Sequence, residues 1–130
     1  MLHLQYNKLR GCFPSALAGC GALTSLNLSW NTLTGPLPPA LACCRSLQRL
    51  EASNNALAGE LPPCWFGADG LARLELLDLS YNRLSGALPP ALFGATALTS
   101  LQLWSNRLSG ALPERVSELT RLEHLALHSN

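Results

Sequence analysis

The sequence predicts an α/β repeat solenoid: one array, residues 1–130, built from copies of a single short unit around a parallel sheet. Two observations carry that expectation. Leucine supplies 31 of the 130 residues. Asparagines recur at Asn7, Asn31, Asn55, Asn82, Asn106 and Asn130, at intervals of 24, 24, 27, 24 and 24 residues. Self-similarity at a fixed period in this range is the mark of a stacked repeat.

Each element of the unit has a physical reading. In the clearest copy, Leu26 and Leu28 alternate with Asn27 and Ser29. That period of two predicts a short strand with one buried face. Asn31 follows where the chain turns, and its amide can bond turn backbone groups that lack a sheet partner. In stacked copies these amides form a structural ladder. Gly35 suits a backbone position with positive φ. Pro38 fixes φ and opens a return segment. Each return segment closes on an apolar residue, at Leu17, Leu41, Trp65, Leu92 and Val116. A lone copy leaves much of its apolar surface wet, so the stacked array is the stable unit.

The frame runs through four full copies. They start at Leu23, Leu47, Leu74 and Leu98, and their prolines stand at Pro38, Pro62, Pro89 and Pro113. An incomplete copy precedes them and another follows. No capping module flanks the array. The chain therefore reads as a partial array, and a truncated, non-functional fragment of a longer gene is one expectation for it.

Composition narrows the function. Hydrophobic residues make up 48% and charged residues 13%, which implies a packed core rather than disorder. A net charge of +1 gives no overall electrostatic signature for nucleic acid or an anionic membrane. Prolines 14, 36, 38 and 39 interrupt the uncharged stretch 11–44, so it does not read as a membrane span. The first ten residues lack the basic leader and apolar run of a signal peptide.

The frame L-x-x-L-x-L-x-x-N-x-L-x-G-x-L-P, in the four copies above, resembles the plant-specific leucine-rich repeat. That class is found in the ectodomains of receptor-like kinases, in receptor-like proteins and in polygalacturonase-inhibiting proteins. The resemblance covers essentially the whole chain. It implies a right-handed superhelix, a parallel sheet on the concave side, a second short strand around L-x-G-x-L-P, and an irregular or short-helical convex side. It also implies a ligand-binding or protein-interaction segment of an extracellular receptor in plant signalling or defence. The expected partners are a peptide or protein ligand and a co-receptor. The expected location is the extracellular face of the plasma membrane or the apoplast, with any kinase domain lying elsewhere in a longer parent. The alternative within the resemblance is an enzyme inhibitor of the polygalacturonase-inhibiting kind.

The chain departs from the frame in two places besides its ends. Ala52 replaces a strand leucine. The third interval is three residues longer, with the extra length between Cys64 and Leu77, where Leu71, Leu74 and Leu77 offer an additional L-x-x-L step. A bulge on the convex or lateral side is expected there, because insertions in repeats map to loops.

Nothing in the sequence predicts catalysis, a cofactor or a metal. His124 and His128 sit four apart on a strand-like run, about 13 Å by strand rise, too far to share one ion. Serines recur at repeat positions, as a scaffold produces. Glu51 and Asp78 share one strand column and read as solvated carboxylates. Five cysteines are present. Cys20 and Cys44 occupy equivalent places in adjacent copies, so they are either small buried fillers or a disulfide pair, and the filler reading is preferred. Asn27-Leu28-Ser29 is an N-glycosylation sequon.

The informative surface is the outward side of the strands. Its candidate ligand residues are Tyr6, Trp30, Glu51, Asp78, Tyr81, Gln102 and Trp104, since exposed Trp and Tyr are enriched at interface hot spots. Arg83 and Arg107 share a place just after the asparagine, suited either to recognising a carboxylate or to keeping the rim soluble.

Overall fold

A computed structural model describes all residues 1–130. The strands segregate into two parallel sheets that alternate along the chain. The inner sheet holds β1 (Leu2–His3), β3 (Ser25–Asn27), β5 (Arg49–Glu51), β7 (Leu76–Asp78), β9 (Ser100–Gln102) and β11 (His124–Ala126). The outer sheet holds β2 (Arg10–Cys12), β4 (Thr32–Gly35), β6 (Ala56–Gly59), β8 (Arg83–Gly86) and β10 (Arg107–Leu108). The parallel ladder is as expected from the frame, and the second short strand is as the resemblance implies.

The leucine period becomes one row in the inner sheet. Leu2, Leu26, Leu50, Leu77, Leu101 and Leu125 pair in register across all six strands. Leu26, Leu50, Leu77 and Leu101 are buried, as are Leu28, Leu79 and Leu103 two residues on. Ala52 is also fully buried, a smaller side chain in the place of Leu28 and Leu79. Leu125 keeps 39% exposure because only one neighbouring copy covers it. Twenty-seven buried apolar residues form a single core between the two sheets and the return segments.

The outer sheet runs in a different register. Arg10 pairs with Thr32, Thr34 with Ala56, Ala58 with Arg83 and Ser85 with Arg107. Each copy is therefore slipped by two residues against the last. Arg83 and Arg107, equivalent in the repeat, are consequently not opposite one another. The fully formed outer strands carry a glycine with positive φ at or near their ends, such as Gly35 at +78° and Gly86 at +79°. A side chain there would be strained, which explains why the frame demands glycine.

The return segments are short 3-10 turns: Ser15–Gly19, Pro39–Cys43, Pro63–Trp65, Pro90–Gly94 and Glu114–Glu118. Three begin on a proline in the first turn, where its fixed φ suits the helix and its missing N–H costs nothing. Trp65 is the largest buried side chain, and its indole Nε1 donates to the Pro38 carbonyl of the previous copy at 3.0 Å.

The longer interval resolves into a bulge on this return side. In the 24-residue copy, Cys44 N donates to Leu41 O at 2.9 Å and Leu47 N to Cys44 O at 2.9 Å. In the longer copy, Leu71 N donates to Trp65 O at 2.7 Å and Leu74 N to Leu71 O at 2.9 Å. The same two bonds thus close a loop three residues longer. Leu71 is not an additional step; it takes the place that Cys44 holds in its own copy. Gly70 is packed so closely that an added Cβ would collide with the Cys64 carbonyl oxygen.

All five cysteines are free thiols. Cys44 is a buried filler whose Sγ donates to Leu17 O at 3.1 Å, and burial raises its pKa, with Cys20 and Cys43 nearby adding to the shift. Cys20 departs from the filler expectation. It is exposed, because its return segment has a neighbouring copy on one side only. No helix is long and apolar enough to cross a membrane.

Candidate functional site

The inner sheet's open face is positioned by the asparagine ladder behind it. Asn82 is representative. Its Nδ2 donates to the carbonyls of Leu79 and Ser80 in its own copy and of Ala52 in the copy before, at 2.9–3.1 Å. Its Oδ1 accepts from Leu57 N at 3.0 Å. Asn31, Asn55, Asn106 and Asn130 repeat this pattern of one acceptor bond and three donor bonds. Asn7, in the first copy, bonds only the Leu4 and Gln5 carbonyls. From Asn31 onward, each amide therefore ties two copies together and satisfies backbone groups that neither sheet reaches.

The turn that aims these amides forces an unusual backbone on the residue before each one. Tyr6, Trp30, Asn54, Tyr81, Ser105 and Ser129 all have φ between 50° and 59°. For a side chain other than Gly, Asn or Asp this left-handed conformation costs roughly 1–2 kcal/mol. Three of the six positions nonetheless carry a large aromatic side chain, and those three are wet: Tyr6 is 74% exposed, Trp30 51% and Tyr81 49%.

The aromatic residues gather into two groups. Tyr6 stacks on Trp30, with ring centroids 5.6 Å apart. Tyr81 meets Trp104 edge to face at 4.4 Å, and Trp104 stacks on His128 at 5.0 Å. His128 is not among the ligand residues expected from the sequence, yet its ring completes this group. The signal is present in the spacing: His128 follows Trp104 by 24 residues, so the two occupy one column of adjacent copies.

Alongside the aromatic groups runs a column that is polar in all but its last copy. Asn27, Glu51, Asp78, Gln102 and Ala126 are direct partners across β3, β5, β7, β9 and β11. Asn27 Nδ2, the atom that would carry a glycan, donates to Glu51 Oε2 at 3.1 Å, while Asn27 Oδ1 accepts from Ser29 N at 3.0 Å. Asp78 Oδ1 accepts from Ser80 N at 3.0 Å and Ser80 Oγ at 2.6 Å. Gln102 Nε2 donates to Ser100 Oγ at 3.3 Å. Ser29, Ser53 and Ser80, which share one repeat position, are shut off from solvent. Their hydroxyls bond locally, with Ser53 Oγ donating to Ser29 Oγ at 3.1 Å.

This arrangement offers shape, ring faces and hydrogen-bonding groups. No set of three or more His, Cys, Asp or Glu residues is arranged to hold a metal ion. The two main clefts lie elsewhere. One, about 490 Å³, is on the return side beside the Phe66–Gly70 bulge. The other, about 150 Å³, is at the last copy, around Leu108, Leu112 and Leu127. Both are bounded mostly by side chains of the scaffold. The candidate surface is an open face, as expected for a partner that lies across several copies.

Comparison with known proteins places this geometry. One family model, described as leucine rich repeat, matches residues 1–57, and a second with the same description matches residues 73–95 and 97–119. No curated protein matches the chain. Among solved structures, the plant peptide hormone receptor RGFR1 in complex with RGF2 superposes with a TM-score of 0.93 at 37% identity, over 99% of this chain and 20% of that one. The ectodomain of the Arabidopsis receptor kinase HAESA, in complex with an N-terminally extended IDA peptide hormone, gives 0.91 at 35% identity, over 98% of this chain and 21% of that one. The ectodomain of the receptor kinase SOBIR1 from Arabidopsis thaliana gives 0.90 at 29% identity, over 99% and 69% respectively. The chain spans 20% and 21% of the length of the first two. The two family models, which together cover most of the chain, and these superpositions on plant ectodomains show that it belongs to the leucine-rich repeat family, in its plant-type form.

Proposed function

We propose that this chain is a ligand-binding segment of an extracellular plant receptor-like protein or receptor-like kinase, and that it holds an extended peptide across the inner sheet. The observation that carries the reading is the choice of Tyr6, Trp30 and Tyr81 at backbone positions where an aromatic residue is strained and about half or more exposed. Folding would be served better there by asparagine, which occupies the same place at position 54. Aromatic rings kept against that preference supply large, rigid contact area for a partner.

In this reading the ligand runs across the strands. It stacks on the Tyr81–Trp104–His128 group and reaches Glu51, Asp78 and Gln102 with its polar groups. Tyr6 and Trp30 form a second contact further along. A co-receptor would complete the complex, and signalling would be the task of other parts of a longer chain. Two solved relatives carry bound peptide hormones, which supports this choice of ligand class.

Selection of an extended-peptide display library against the immobilised chain tests the reading. Selected peptides should bind wild type roughly tenfold or more tightly than Trp104→Ala or Asp78→Ala, as loss of a hot-spot contact implies. They should bind Arg115→Ala, altered on the return side, as well as wild type. Peptides insensitive to both inner-face changes would overturn the assignment of this face.

A further inference from the structure

Each return segment ends at a joint where one residue leads the chain back to the next inner strand. Cys20, Cys44, Leu71, Ala95 and Leu119 hold that place, and the carbonyl of each accepts the amide three residues on, at 2.9–3.0 Å. Leu71, Ala95 and Leu119 are buried there, so the fold asks only for an apolar side chain at the joint. Thiols are not required. They nonetheless stand at two adjacent joints, Cys20 and Cys44, and both are free.

These two joints meet at one atom. Leu17 O accepts Cys20 N at 2.9 Å and Cys44 Sγ at 3.1 Å. The Cys44 sulfur therefore reaches back onto the segment that carries Cys20. The 3-10 turns that lead into the two joints, Ser15–Gly19 and Pro39–Cys43, lie side by side. Strands of stacked copies repeat at about 4.8 Å, and the return segments follow the same stacking. That step falls inside the Cα separation of about 4.4–6.8 Å that a disulfide spans. The Cys20 thiol is also near enough to add to the rise that burial causes in the Cys44 pKa. The two sulfurs differ in access: Cys20 is exposed and Cys44 buried. A small oxidant in solution meets Cys20 first, and Cys44 is placed to resolve the product.

We propose that Cys20 and Cys44 are an oxidisable pair, which a peroxide converts to a disulfide that clasps two neighbouring return segments. The Cys20 sulfur attacks one peroxide oxygen. The O–O bond breaks, Cys20 becomes a sulfenic acid, and the other oxygen leaves as water. The Cys44 sulfur then attacks the Cys20 sulfur. An S–S bond forms, and the hydroxyl leaves as water with the Cys44 proton. In all, two thiols lose two electrons and one peroxide is reduced to two waters. On the opposite face the same two copies carry Tyr6 and Trp30, whose rings stack, so oxidation fixes the junction behind that aromatic pair. The clasp lies on the return side, and the proposal stands or falls independently of the peptide reading.

The test treats the folded 130-residue chain with hydrogen peroxide and then blocks the remaining thiols with iodoacetamide under denaturing conditions. Chymotrypsin cuts between the pair at Trp30, and mass spectrometry maps the products. A peptide carrying Cys20 should appear linked to one carrying Cys43 and Cys44, lighter by two hydrogens, and dithiothreitol should separate them. Cys43→Ala should leave the link in place, whereas Cys20→Ala and Cys44→Ala should each remove it. Alanine already fills the same joint at Ala95, so these variants should fold, and melting curves of their reduced forms check this. Oxidised wild type should melt several degrees above its reduced form, and peroxide should not raise the melting temperature of Cys44→Ala. The amides that bridge the two copies, Leu4 N to Asn27 O and Tyr6 N to Ser29 O, should exchange hydrogen more slowly after oxidation. Cysteines that stay open to alkylation or oxidise singly without linking, a link that survives Cys44→Ala, or a link between two molecules would each overturn the proposal. An oxidised chain that melts no higher than the reduced one would overturn the clasp.

Discussion

Two neighbouring columns of the array, one residue apart in sequence, obey opposite rules. The column at Asn31, Asn55, Asn82 and Asn106 never varies in type, and every amide is saturated with bonds to two copies. The column just before it reads Tyr6, Trp30, Asn54, Tyr81, Ser105 and Ser129, with no common chemistry and one shared strained backbone. The same turn produces both. It points one side chain inward, where unpaired backbone groups demand an amide, and the other outward, where nothing in the fold demands anything. Residue choice in the second column is therefore available for recognition.

The sharpest break in this comparison is Asn82→Ala. It orphans the buried Leu57 amide and removes one donor from each of the Ala52, Leu79 and Ser80 carbonyls, which keep bonds from Asn55 Nδ2, Asn106 Nδ2 and Asn54 N respectively. A loss of about 1–3 kcal/mol is expected for the one unsatisfied group, with the three lost donor bonds adding to it, and urea unfolding measures it. A loss below about 1 kcal/mol would mean that water replaces the amide, and that the ladder is not what joins the copies.

Gly70→Ala probes the longer copy, where the bulge must still meet the ladder in register. Its added Cβ would collide with the Cys64 and Trp65 carbonyl oxygens, backbone atoms that cannot step aside. A cost of about 1–3 kcal/mol is expected from such overpacking. Gly94→Ala is the control, with its nearest contact at 3.5 Å, and should unfold at nearly the wild-type midpoint.

Trp30→Asn should show the other side of the comparison. It relieves a strained backbone worth roughly 1–2 kcal/mol and forfeits a Tyr6 stack worth about 0.5–1.5 kcal/mol. The two nearly offset, so stability should change by less than about 1 kcal/mol while affinity for a selected peptide falls. A large loss of stability would reassign Trp30 to the scaffold.

The smallest effect belongs to the exposed pair Arg115–Glu118, which is far from both columns. The hydrogen bond that Arg115 Nε donates to Glu118 Oε1, at 2.7 Å, holds the Glu118 carboxyl below its usual range, with desolvation opposing it and the guanidinium charge adding a smaller part. The same bond holds the Arg115 guanidinium above its usual range. A lowered folded-state pKa stabilises above the unfolded carboxylate range, and that contribution is lost as pH falls through the folded value. The difference in urea midpoint between wild type and Glu118→Gln should therefore be slight near neutrality and shrink further in acid. A difference that grows on acidification would contradict the assignment.

Much of the molecule is legible in its sequence, for a reason particular residues make plain. The Leu26–Leu50–Leu77 row and the asparagine ladder both repeat at the period of the chain, so one index locates them. Periodicity does not reveal lateral offset, and the two-residue slip that separates Arg83 from Arg107 leaves no trace in the spacing. The strained backbone at Tyr6, Trp30 and Tyr81 is equally hidden. Glycine normally marks such positions, and none of the six carries one. Leu71 looks like an added step because spacing alone cannot separate a longer loop from a further turn. His128 invites a comparison with His124, its neighbour in sequence, whereas its ring partner lies one period away, at Trp104.

The division between the recognition face and the scaffold core can be tested in one spectrum. The chain has three tryptophans. Trp30 and Trp104 lie in the aromatic groups of the inner face, while Trp65 is fully buried with its indole N–H bonded to Pro38 O. Indole N–H resonances of nitrogen-labelled protein should therefore separate on titration with a selected peptide. The signals of Trp30 and Trp104 should shift in proportion to occupancy, and that of Trp65 should stay in place. Saturable binding that moves the Trp65 signal and leaves Trp30 and Trp104 unchanged would contradict this division.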